Sequence, residues 1–129
     1  MQYQPFLLSV GTDRTLLDLR TSVLRQAGYS VERATTADEA YRLIASQDFD
    51  VVILCHSLPE KDRQRLILSI NAAKPRTRVM VVDSSAYRAK SELADDSMYN
   101  LDGPEQLLAH VARMLGQASA QHHDPPTSH

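Results

Sequence analysis

The chain has 129 residues, with 14 Lys+Arg against 16 Asp+Glu and a net charge of −2. That is room for one compact domain, without bulk attraction for nucleic acid or anionic membrane. A single cysteine excludes an internal disulfide framework and any multi-cysteine zinc site. No apolar run approaches the roughly 20 residues of a membrane helix. Met1-Gln2-Tyr3-Gln4-Pro5 lacks the basic start of a signal peptide, so a cytoplasmic α/β or all-α domain is expected.

Phe6-Leu7-Leu8-Ser9-Val10 is a short apolar run ended by Gly11-Thr12-Asp13, the pattern of a buried strand followed by a helix cap. From Arg14 to Ala27, Leu16, Leu17, Val23, Leu24 and Ala27 recur at helical spacing, and Gly28 stands where a left-handed cap is expected. Tyr29 to Arg33 alternates as an edge strand. Thr36-Ala37-Asp38-Glu39 has the form of a capping box, and Ala40, Leu43 and Ile44 give the following helix an apolar face. Val51-Val52-Ile53-Leu54 is the strongest strand signal, a β-branched run suited to a central parallel strand covered on both faces.

Cys55-His56-Ser57-Leu58-Pro59 reads as a loop, and a helix is expected from about Asp62 to Ala73, stopped by Lys74-Pro75. Arg78 to Val82 is a fourth strand ending at Asp83. Between Ala86 and Asn100 the pattern weakens to one short helix and a ragged strand near Met98 to Leu101. Asp102-Gly103-Pro104-Glu105 opens a last helix with Pro at its first position and Leu107, Leu108, Val111 and Leu115 inward. Gly116 is expected to end it, giving a domain over residues 1–116 and a disordered tail over 117–129. Strands alternating with helices through short loops imply an α/β, doubly wound, five-stranded parallel sheet in flavodoxin-like order 2-1-3-4-5, with a shortened or irregular fourth helix. Its natural site is the crevice at the carboxyl ends of strands 1 and 3, where Gly11, Thr12, Asp13, Cys55 and Asp83 converge.

The segments Leu16-Leu17-Asp18-Leu19, Leu24 to Val31, Ala40 to Ile44, Asp50 to Leu54 with Leu58-Pro59, and Pro104 to Leu108 together resemble the receiver domain of bacterial two-component response regulators. The resemblance runs from about Phe6 to Gly116. It implies a fold that takes a phosphoryl group from a histidine kinase onto an Asp after the third strand. An acidic pair after the first strand holds Mg²⁺, with a Thr or Ser after the fourth strand and a Lys after the fifth. By the same resemblance the acceptor position falls on Cys55, the acidic pair on Gly11 and Thr12 with Asp13 beside them, and the Thr/Ser position on Asp83. The Lys position falls on Asn100 when aligned back from Pro104, or near Asp102 if Tyr99 is the family's switch aromatic. Mg²⁺ sites usually rest on one or two carboxylates plus a phosphate oxygen. Without that set, nothing neutralises a phosphoryl group in transfer.

The expectation is therefore a degenerate receiver domain, not an enzyme and without a cofactor. It would act as a phosphorylation-independent interaction module for a protein partner in bacterial signalling, with no nucleic acid or membrane partner and an open oligomeric state. The alternatives are a thiol-based sensor or enzyme using Cys55, and small-ligand binding in a crevice that Gly11 and Thr12 leave roomy. The bland readings compete throughout. Cys55 reads as a small buried hydrophobe whose thiolate a nearby Asp83 carboxylate would suppress. Asp13 and Asp83 could form a cation site or an acid/base pair, against a helix cap or a solvated carboxylate for each, and His56 reads as a solvent-facing loop residue. His122, His123 and His129 fall in the tail. Arg63, Arg65, Lys74, Arg76 and Arg78 read as a solvated face in preference to a partner surface.

Overall fold

The structure, a computed structural model, describes residues 4–83, 94–99 and 103–122. Its elements are β1 (Phe6–Val10), α1 (Arg14–Gln26), β2 (Ser30–Ala34), α2 (Ala37–Ser46), β3 (Val51–Cys55), α3 (Glu60–Ala73), β4 (Arg78–Asp83), β5 (Asp96–Tyr99) and α4 (Pro104–His122). Every observed strand pairing is parallel. The first four strands take the expected order β2-β1-β3-β4, and the short β5 adds to the β4 edge.

A parallel sheet must be covered on both faces, because its crossover helices pack there. All five residues of β3 are accordingly buried, and successive side chains divide between two cores. Val52 and Leu54 join Leu8, Val10, Leu66 and Ile70 in the layer under α2 and α3. Val51 and Ile53 join Leu7, Leu24, Met80 and Val111 in the layer under α1 and α4. Each fully buried Leu or Ile contributes about 1.5–3 kcal/mol, so this strand anchors both halves of the molecule.

Helix boundaries follow from capping chemistry. Asp13 is the N-cap of α1, its carboxylate accepting from the Leu16 amide at 3.2 Å. At the other end Gly28, at φ +102°, donates to the Arg25 carbonyl at 3.0 Å while Tyr29 donates to Leu24 at 3.2 Å. That pair of bonds is a Schellman closure. The capping box of α2 forms with one variation. Thr36 Oγ1 accepts from the Glu39 amide at 3.1 Å, but Glu39 Oε1 reaches back to the Thr35 amide at 2.7 Å, one residue further out than expected. At the chain's far end, Asp96 ties β5 to α4 by accepting from Arg113 at 3.2 Å and meeting His110 Nδ1 at 2.7 Å.

Several sequence expectations need correction. Cys55 is not in a loop but ends β3, in parallel register opposite Val82, while its carbonyl accepts from the Leu58 amide at 3.0 Å as the chain turns. Helix α3 starts at Glu60 instead of Asp62, with Glu60 and Asp62 both in its first turn, where carboxylates complement the helix dipole. Helix α4 does not stop at Gly116. It continues to His122, since Gly116 lacks the positive φ of a left-handed cap and is followed by the good helix formers Ala118 and Ala120. The weak helix expected after Ala86 falls on residues 84–93, outside the described residues, as does Asn100. Among the described residues no helix is long and apolar enough to cross a membrane.

The Thr35 amide bond to Glu39 has a measurable consequence. Chiefly through that bond, the Glu39 carboxyl is held below its ordinary value of 4.5. A depressed carboxyl contributes stability above its unfolded pKa and loses it as pH falls through the folded one. The contribution is complete at neutral pH and disappears on acidification below 4.5. Glu39→Gln therefore melts below the wild type at neutral pH, and the gap between them closes as the pH is lowered through that range. Circular-dichroism melts across pH check this.

Candidate functional site

The β1–β3 register pairs Val10 with Leu54, which brings the next residues, Gly11 and Cys55, to the carboxyl edge of the sheet. Thr12 and Asp13 follow Gly11 into α1, while His56 to Pro59 lead from β3 into α3. Asp83 ends β4 on the same edge, one residue past the Val82 that pairs with Cys55. Four expected site residues, Gly11, Thr12, Asp13 and Cys55, thus come together as neighbours.

The room expected beside Gly11 is not open. A Cβ placed there would stand 2.9 Å from Cys55 Cβ and 3.1 Å from Ser57 Oγ, tighter than packed carbon atoms tolerate. The β3–α3 loop closes directly on the β1–α1 loop. Ser57 Oγ accepts from the Thr12 amide at 3.0 Å and from the Asp13 amide at 3.2 Å. Thr12 Oγ1 in return donates to the Ser57 carbonyl at 2.7 Å. Asp13 spends a carboxylate oxygen on the Leu16 amide, as a cap.

Cys55 is 3% exposed. The group brought to it is a cation, for Arg20 Nη1 donates to Cys55 Sγ at 2.8 Å. Arg20 also lines an apolar groove of about 150 Å³ between α1 and α4, with Leu16, Leu19, Val23, Met98 and Leu107. Its place there lets an arginine keep its stem against hydrocarbon and its head at a polar edge. Sequence reasoning passed over this residue. The signal existed: Arg20 interrupts the stripe Leu16-Leu17-Val23-Leu24-Ala27 at the spacing of its inward face.

Arg63 is a second correction. It is 8% exposed, and its guanidinium donates to the Leu58 carbonyl at 2.6 Å and to the His56 carbonyl at 3.2 Å. It braces the loop after β3 and does not belong to a solvated basic face. Its sequence neighbours divide among separate tasks, with Lys74 paired to Asp48 and Arg78 to Asp95. His56 is half-buried, not solvent-facing, and its Nε2 is buried without a hydrogen-bond partner among the described residues. Among the described residues, no group of three or more His, Cys, Asp or Glu side chains is placed to hold a metal ion.

The close approach at Gly11 predicts a contrast between two glycines. Gly11→Ala forces Cys55 or Ser57 to shift and costs about 1–3 kcal/mol, the range for overpacking. Gly116→Ala has nothing within 4 Å of the new methyl, and in a helix it gains about 0.5–1 kcal/mol. Urea denaturation of both variants measures the difference.

Similarity to known proteins bears on this edge of the sheet. No curated protein matches the chain. Residues 7–102 match the family model described as the response regulator receiver domain. Among solved structures, a CheY-like receiver domain protein from Methanospirillum hungatei superposes with a TM-score of 0.82 at 23% identity, covering 92% of this chain and 99% of the other. The response regulator TrrA of Thermotoga maritima, solved with Mg²⁺ and BeF, gives 0.78 at 21% identity, covering 86% of this chain and 99% of the other. A Burkholderia pseudomallei response regulator carrying a phosphorylated aspartic acid, a calcium ion and citrate gives 0.73 at 21%, covering 95% and 76%. At such identities the likeness speaks for the fold. The family match covers well over half of the chain, which therefore belongs to the response regulator receiver domain family.

Proposed function

We propose that this receiver domain is a degenerate one, which accepts no phosphoryl group at its sheet edge and works as an interaction module for a protein partner in bacterial two-component signalling. The observation that carries the reading is the state of Cys55. By the resemblance the family's acceptor position falls on it, and it is a buried thiol held by an arginine. An Asp acceptor attacks phosphorus through a free carboxylate oxygen, with a cation bridging the incoming phosphate. Gly11 and Thr12, on which the resemblance places the family's acidic pair, offer no carboxylate. Asp13 is committed to capping α1. The described edge thus carries scaffold without phosphotransfer chemistry, and it has no enzymatic role in this reading.

A thiol-based reading is favoured by one contact, the Arg20 donation to Cys55 Sγ, which sets a cation beside the single cysteine. The 3% exposure of Cys55 weighs against it, since a sensor thiol must meet its oxidant. Small-ligand binding in a vacated crevice is disfavoured by the loop closure on Gly11.

Incubation with acetyl phosphate and Mg²⁺, followed by intact mass, tests the main reading. The expected result is no gain of a phosphoryl mass; a stoichiometric adduct that hydroxylamine removes contradicts it. Iodoacetamide separates the thiol reading. Cys55 stays unlabelled in the native protein and labels once urea unfolds it, whereas rapid native labelling favours a reactive thiol.

A further inference from the structure

Ser57 and Thr12 are 45 residues apart in sequence yet share three hydrogen bonds at the crevice, counting the bond from the adjoining Asp13 amide to the same Ser57 oxygen. These bonds join the two loops that any cation at this edge would have to bridge. Hydrogen bonds can do this only if the loops approach closely, and Gly11 permits that approach. Ser57 Oγ lies 3.1 Å from where its Cβ would stand, so any larger residue there pushes Ser57 away. Electrostatics agree, because Gly11 and Thr12 place no carboxylate pair whose repulsion would hold the loops apart until a cation arrived. The loop is braced from its other side by Arg63, which holds the carbonyls of His56 and Leu58 on either side of Ser57.

We infer that Ser57 and Thr12 form a built-in tie that fastens the β3–α3 loop to the β1–α1 loop without a cation. The face formed by these loops has the same conformation whether or not Mg²⁺ is present. This goes beyond the proposed function, and it stands or falls separately, since it concerns loop closure and not phosphate acceptance. Ser57 acts here as a positioning residue.

Backbone amide exchange on the full chain, read by NMR, tests the tie in the wild type, Ser57→Ala and Ser57→Thr. In Ser57→Ala the Thr12 and Asp13 amides lose their acceptor and exchange about fivefold faster, the factor set by one hydrogen bond of ordinary net strength. Amides of Val51 to Leu54 keep their rates, and Ser57→Thr, which keeps a hydroxyl, keeps the protection. In the wild type, EDTA and added MgCl₂ leave the Thr12 and Asp13 rates equal. Unchanged exchange in Ser57→Ala overturns the inference, as does an equal acceleration in Val51 to Leu54 or equal loss of protection in both variants. Protection that depends on Mg²⁺ overturns it as well.

Discussion

The parallel pairing of β1 with β3 is the constraint on which the rest depends. It is short and buried on both faces, and its register sets Gly11 against Cys55. Because β3 contributes alternate side chains to both cores, it cannot slide by one residue without turning every side chain to the wrong layer. The register therefore fixes which residues end β1 and β3 side by side. What happens at that edge is decided by which side chains stand there. With glycine at position 11, the backbone of one loop lies against the side chains of the other.

The remaining features of the edge follow from that proximity. From α1, Arg20 reaches the Cys55 thiol, and burying part of a guanidinium is tolerable only where its donors find acceptors. Arg63 meets the same demand with two backbone carbonyls. Two cations thus enter the same region from opposite layers, one beneath β3 and one behind the loop that follows it. Arg20 meets the Cys55 thiol, and Arg63 meets two peptide oxygens.

Much of this was legible in the sequence. The β-branched run at Val51 to Leu54, the Thr36–Glu39 box, Gly28 and Gly103-Pro104 mark elements by local chemistry, and local chemistry decides where elements begin and end. The convergence of Gly11, Thr12, Asp13 and Cys55 followed from the topology of a doubly wound sheet. The closure of the crevice did not. Ser57 looked like an ordinary loop serine because its partners lie 45 residues away, and no local pattern encodes that distance. Arg63 was grouped with its basic neighbours by composition, although its position among Leu66, Ile67 and Ile70 on the buried side of α3 sets it apart. Arg20 was visible as a charge within an apolar stripe, and periodicity alone could not name its acceptor. The last helix runs past Gly116 because a glycine ends a helix only where it takes a positive φ, which Gly116 does not.

A crevice filled by the protein's own groups is tested most directly by offering it the ligands that an active receiver would hold. Mg²⁺ with beryllium fluoride, which imitates a phosphoryl group, can be titrated into labelled protein while the amide signals of Gly11, Thr12, Leu54, Cys55 and Ser57 are followed. The filled crevice predicts that these signals stay where they are. Saturable shifts centred on Gly11 and Cys55 would contradict it, since they would mean that the loops open to admit a cation and its anion.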